Sequence, residues 1–93
     1  MTAPKHAKKV DLNQQEVVDA LRAIGCMVEV IGQPVDLLCG YRGKNFLIEV
    51  KQRGMENRKD QQEQRDWMDD WKGQVTVVFD GMDAIRVVTE DIL

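Results

Sequence analysis

A chain of 93 residues with 43% hydrophobic and 31% charged side chains makes one folded domain, and excludes a second domain, a disordered chain and a fibrous scaffold. Two cysteines and the single histidine His6 are too few for a structural zinc site or a secreted disulfide framework. The formal net charge of −3 opposes phosphate binding by the chain as a whole, but the charge is uneven: Lys5, Lys8 and Lys9 begin it, Arg42, Lys44, Lys51, Arg53, Arg58 and Lys59 crowd its middle, and acids collect at Asp66, Asp69, Asp70 and from Asp80 to Asp91.

In chain order, residues 1–10 read as a flexible basic arm and residues 11–93 as the single domain. From Asn13, the apolar positions Val17, Val18, Leu21 and Ile24 follow helical spacing, with Asn13 and Glu16 placed as a capping box and Gly25 as a stop. Met27 to Ile31 is a short strand-like run. Gly32-Gln33-Pro34 breaks it before a second run, Val35-Asp36-Leu37-Leu38-Cys39, and Gly40-Tyr41-Arg42-Gly43 supplies a turn. In Asn45 to Lys51, alternation puts Phe46, Ile48 and Val50 on one face and Glu49 and Lys51 on the other.

After a loop from Gly54 to Asn57, a polar helix from about Arg58 to Lys72 carries Gln64, Trp67, Met68 and Trp71 at spacings of three and four, with Gly73 as its stop. Gln74 to Phe79 is a valine-rich strand. Asp80 to Ile85 fits a short helical turn, and Arg86-Val87-Val88 is either a last strand or the end of that turn. Helix, three strands, helix, strand gives an α/β domain with a central mixed sheet flanked by helices.

In the first hairpin, Val35, Leu37 and Cys39 form an apolar face, so Asp36 points to the side that also carries Glu49 and Lys51. A turn centred on Tyr41 and Arg42 sets Asp36 across from Leu47 and diagonal to Glu49, at about 7 to 8 Å. Two carboxylates in a half-dry groove repel unless a cation neutralises them, and oxygen-only ligands favour Mg²⁺ or Mn²⁺. Attack on a phosphodiester needs an activated water and stabilised negative charge, which a divalent ion beside an ammonium supplies. Lys51 is that ammonium.

Asp36 followed by Glu49-Val50-Lys51 at the end of a hairpin strand resembles the core motif of the PD-(D/E)XK nuclease superfamily, and within it the VRR-NUC group of small phage and bacterial nucleases. The likeness runs through Val35-Asp36-Leu37-Leu38, Ile48-Glu49-Val50-Lys51, Gln64-x-x-Trp67-x-x-x-Trp71-x-Gly73 and Asp83-Ala84, most of the chain. One departure is that Val35 separates Pro34 from Asp36, which the motif places side by side. The resemblance implies a restriction-endonuclease-like core in which Asp36, Glu49 and the Val50 carbonyl hold Mg²⁺ or Mn²⁺, and Lys51 orients the water or stabilises the transition state. It also implies that Glu16 completes the metal site, as in archaeal Holliday-junction resolvases, and that Gln64 reaches the site edge.

Other readings stand beside these. Glu16 fits a helix cap as well as a metal partner, Gln64 fits an ordinary helix surface, and Trp67 and Trp71 fit core or dimer packing better than base stacking. Arg42 and Lys44, flanking the turn near the site, together with Arg53, Lys8 and Lys9, are the expected phosphate contacts. Both cysteines lie in apolar runs and read as small core residues.

The expected activity is metal-dependent DNA endonuclease action, on branched DNA such as four-way junctions. The alternatives are a nicking or general nuclease within a larger phage DNA-processing machine, a non-catalytic nucleic-acid-binding module of the same fold, or an interaction domain with two interfacial tryptophans. A domain this small buries only roughly 60 to 65% of its unfolded surface, which favours a homodimer. No apolar run approaches the ~20 residues of a bilayer span and the start has no apolar signal core, so a soluble, cytoplasmic protein without membrane contact or nucleotide cofactor is expected.

Overall fold

The computed structural model describes residues 5–54 and 61–90, with the backbone alone for residues 5–12. It is an α/β domain in which α1 (Lys5–Ala23) precedes the strands β1 (Met27–Val30), β2 (Leu37–Tyr41) and β3 (Lys44–Val50), followed by α2 (Gln62–Asp70), β4 (Thr76–Val78) and α3 (Gly81–Glu90). The sheet has the order β1-β2-β3-β4, with the first three strands antiparallel and β4 parallel to β3. Parallel neighbours need a crossover, and α2 lies in it. None of the described helices is long and apolar enough to cross a membrane.

The core lies between α1, α3 and one face of the sheet. Val17, Val18 and Leu21 of α1 and Ala84 and Val88 of α3 meet Val28, Leu37, Cys39, Phe46, Ile48, Val50 and Val78. The alternation expected in the hairpin holds, since Val35, Leu37 and Cys39 are completely buried while Leu38 is exposed. The cysteines are core residues as expected, and burial pushes the Cys39 thiol up to about 12. α1 and α3 approach so closely at Gly81 that a Cβ there would lie 2.7 Å from the Cβ of Ala20, well inside van der Waals contact.

Local structure differs from expectation in several places. α1 begins at Lys5, not at Asn13, so residues 5–10 belong to the helix instead of forming an arm; residues 1–4 lie outside the described residues. Asn13 and Glu16 are therefore inside the helix and form no capping box at its start. The far end is as expected: Gly25 N–H donates to Arg22 O and Cys26 N–H to Leu21 O, the bond pair of a Schellman stop.

The hairpin turn is centred one residue later than expected. Tyr41 pairs with Lys44, and Arg42 and Gly43 both have positive φ, as a two-residue type I′ turn requires. Glycine adopts that conformation freely and tolerates the tighter second position. The pairing of Leu37 with Ile48 puts Asp36 directly across from Glu49, not diagonal to it. Of the two alternatives open for Arg86 to Val88, the helical one holds, since they continue α3.

α2 spans Gln62–Asp70 in place of a helix running from Arg58 to Lys72, whose first residues, 58–60, lie outside the described set. It has no fully buried residue. Trp67 and Trp71 stack on each other with centroids 4.9 Å apart, and Trp71 remains 42% exposed. The core reading of this pair is therefore replaced by a surface pair. Trp71 Nε1 donates to Gln74 O. Gln74 in turn uses its side-chain amide as a short extra strand, accepting from Leu47 N–H and donating to Leu47 O.

At the opposite edge, Arg22 donates to the carbonyl of Val28 on β1.

Candidate active site at the open end of the hairpin

Strand periodicity sends Glu49 and Lys51 away from the α1–α3 core, yet each is only 5% exposed. Asp36 enters from the residue just before β2. Its N–H donates to Glu49 Oε1 at 3.1 Å, and its Oδ2 accepts from Val50 N–H at 2.8 Å. Each carboxylate is thus held by the backbone of the other's strand, a clasp that fixes both without a third element.

The ammonium of Lys51 lies 3.2 Å from Glu49 Oε2 and donates to Gln61 Oε1 at 2.9 Å and Gln64 Oε1 at 2.6 Å. An ammonium has three N–H donors, so these contacts occupy all of them. Gln64 also donates to Pro34 O at 3.3 Å, tying α2 to the loop before Asp36. The backbone of Lys51 is fixed as well: its N–H donates to Val78 O, and its carbonyl accepts from Asn13 Nδ2.

Burial pushes the Glu49 carboxyl above its ordinary range, and the neighbouring Asp36 charge adds to this. The charge of Lys51 and hydrogen bonds with Lys51 and Gln64 pull it back. This is the electrostatic setting a divalent cation relieves, since positive charge favours ionisation of both acids. The oxygen donors that could hold a hard ion are the carboxylates of Asp36 and Glu49 and the carbonyl of Val50, a set suited to Mg²⁺, which keeps several of its waters. Among the described residues, no three acidic, histidine or cysteine side chains cluster.

The expected site residues divide accordingly. Asp36, Glu49, Val50, Lys51 and Gln64 come together. Glu16 does not join them: its Oε2 accepts from Gly81 N–H at 3.0 Å, because the bare amides at the start of α3 attract a carboxylate. Arg42 and Lys44 are at the hairpin turn as expected, but the turn is about 17 Å along the strands from Asp36, so the expectation that it lies near the site is corrected. The Arg42 guanidinium lies over the Tyr41 ring at 5.2 Å.

Arg53 follows Lys51 closely, but its guanidinium sits over Phe79 at 4.9 Å and bonds Asp80 Oδ2 at 3.2 Å. The side chains of Lys8 and Lys9 lie outside those described. Two residues escaped the sequence reading. Gln61 stands among near-identical neighbours in Asp60-Gln61-Gln62-Glu63-Gln64, where only its spacing of three from Gln64 could have singled it out. Asn13 acts across 38 residues, which no local pattern encodes.

No protein-family model, curated protein or solved structure was found to match this chain.

Proposed function

We propose that this chain is a metal-dependent endonuclease with a restriction-endonuclease-like core, hydrolysing phosphodiester bonds in DNA. The observation that carries the reading is the joining of Asp36, Glu49 and Lys51 at one strand end, with two carboxylates clasped through backbone amides and an ammonium 3.2 Å from one of them. Structural ion pairs are common, but one in which a second carboxylate raises the proton affinity of the first is costly to a small domain unless the site is used.

Asp36, Glu49 and the Val50 carbonyl would hold Mg²⁺ or Mn²⁺, which when bound lowers the pKa of a coordinated water and polarises a phosphoryl oxygen. Lys51 places a positive charge where a phosphate develops negative charge, and Gln61 and Gln64 keep that charge aimed. To meet a phosphate, Lys51 exchanges one glutamine contact for a phosphate oxygen, so a neutral acceptor gives way to a charged one. The substrate favoured here is branched DNA, bound by two copies of the chain in the cytoplasm, since a domain of this size has little surface for reading a base sequence.

The test is cleavage of labelled four-way-junction and linear duplex DNA with Mg²⁺, Mn²⁺ or EDTA. Cutting is expected only with the ions, and Glu49→Ala and Lys51→Met should each lose at least about 100-fold. Equal cutting of both substrates would support a general or nicking nuclease over a junction enzyme. No cutting with either ion would overturn the nuclease reading and leave a binding module.

A further inference from the structure

A cleft of about 510 Å³ separates α2 from the outer face of the sheet. Its sheet wall is Val75, Val77 and Phe79, its helix wall includes Arg65 and Met68, and Lys51 closes one end. A helix laid against a sheet ordinarily fills such a space with side chains at crystal-like density. α2 does not: none of its residues is fully buried, and it is tied down at its ends by the bonds among Lys51, Gln61, Gln64 and Pro34 and by that from Trp71 to Gln74. The helix is suspended over the sheet by polar contacts.

The volume falls in the range of small-ligand sites, and apolar walls with a few polar groups at the margin are the composition such sites have. Its occupant has to be apolar on its broad sides, polar at its edge, and joined to an anion that reaches Lys51. A nucleobase in a DNA strand meets all three conditions. The valines and Met68 suit its faces, Asp69 at the margin can meet an exocyclic amino group, and Arg65, which donates to Gln62 Oε1 at 2.6 Å, brings a second positive charge to the same margin. A paired base cannot enter, because it is stacked and hydrogen-bonded in the duplex; an unpaired one pays far less to leave.

We propose that the cleft between α2 and the sheet receives one unpaired nucleobase of the DNA strand whose phosphate meets Lys51. This deepens the nuclease reading and rests on it for the position of the phosphate. It assigns selectivity for bulges, frayed ends and branch points to the space under α2, not to contacts along the duplex.

The experiment measures binding of the full chain, with Ca²⁺ or EDTA in place of Mg²⁺, to three duplexes of equal length. One carries a single unpaired adenine, one an abasic residue at the same place, and one is fully paired. The unpaired adenine should bind about tenfold tighter than the abasic site. Met68→Trp, which fills the cleft from a helix with no buried residue, should erase that difference and leave binding of the paired duplex unchanged. Met68→Ala adds no volume, removes one apolar wall of the cleft and should reduce the preference about threefold, keeping the test open if the tryptophan variant misfolds.

Equal affinity for the adenine and abasic duplexes, an undiminished preference in a folded Met68→Trp protein, or no binding at all would overturn the proposal. A base-dependent preference in a protein that cuts nothing with Mg²⁺ or Mn²⁺ would uphold the cleft assignment and sink the nuclease reading. Cutting that ignores the unpaired base would do the reverse.

Discussion

On the inner face of the sheet, Leu37, Cys39, Ile48 and Val78 are completely buried against Val17, Leu21, Ala84 and Val88. One residue along, on the outer face, Glu49 and Lys51 are almost as deeply buried, yet charged, and the helix that covers them buries no residue of its own. The first face is held by apolar contact, which is non-directional and proportional to area. The second is held by a handful of directed bonds, each modest after desolvation. The difference teaches that apolar packing and the buried charged cluster are assigned to opposite sides of the same strands, so that a one-residue step along β3 passes from one to the other.

The largest test of this division compares truncations on the two faces. Ile48→Ala should cost about 2 to 5 kcal/mol through lost burial and a cavity, whereas Met68→Ala on α2 should cost under about 1 kcal/mol. Denaturant unfolding measures both, and a comparable loss at Met68 would show that α2 is packed after all. Of a total stability of about 5 to 15 kcal/mol for a domain, the first loss is a large share and the second is not.

Glu16 offers a sharper comparison because it lies at the junction of the helices. Removing its bond to Gly81 N–H with Glu16→Ala should cost about 0.5 to 2 kcal/mol, while Glu16→Gln, whose amide oxygen still accepts, should keep most of the stability. Cleavage per folded molecule should be unchanged in both. A glutamine variant as stable as wild type but inactive would restore Glu16 to the proposed metal site.

The smallest effect is a pH dependence carried by the outer face. A carboxyl whose folded pKa is raised favours folding while it is protonated, so the contribution of Glu49 is present below its ordinary value of 4.5 and is lost as pH rises through its folded value. Opposing pulls from Lys51 and Gln64 keep the shift limited. Thermal midpoints in EDTA across acidic to neutral pH should therefore fall less in Glu49→Gln than in wild type over that window. Identical profiles would mean that Glu49 titrates as an exposed acid.

Much of this division is legible in the chain. The alternation of Phe46, Ile48 and Val50 with Glu49 and Lys51 has a period of two that survives in the fold, and the matching alternation around Asp36 fixes which side the acid takes. The register differs from the expected one by one step of the turn because Gly40 and Gly43 both have turn character, and only the positive φ at Arg42 and Gly43 decides between them. The last helix is only half legible: Arg86-Val87-Val88 has the β-branched content of a strand, but Ala84 and Val88, four apart, are what the core selects. Its capping acids, Asp80 accepting from Asp83 N–H and Asp83 accepting from Phe79 N–H, were a local signal that the sequence did contain. The grip of Gln61 on Lys51 and of Asn13 on its carbonyl depends on distances that exist only after folding.

The bond from Arg22 to the Val28 carbonyl bears on self-association. β1 is an outermost strand, and Ile31 N–H donating to Asp36 O sets the ladder so that Val28 points its backbone groups outward, where another chain could add. Met27 and Val30, 71% and 57% exposed, would supply the apolar side chains for such a template. With a guanidinium seated on the carbonyl in the middle of a four-residue strand, an incoming strand has to evict a charged donor before it can make its own ladder bond. The same helix that roofs the core thereby guards the rim against aggregation.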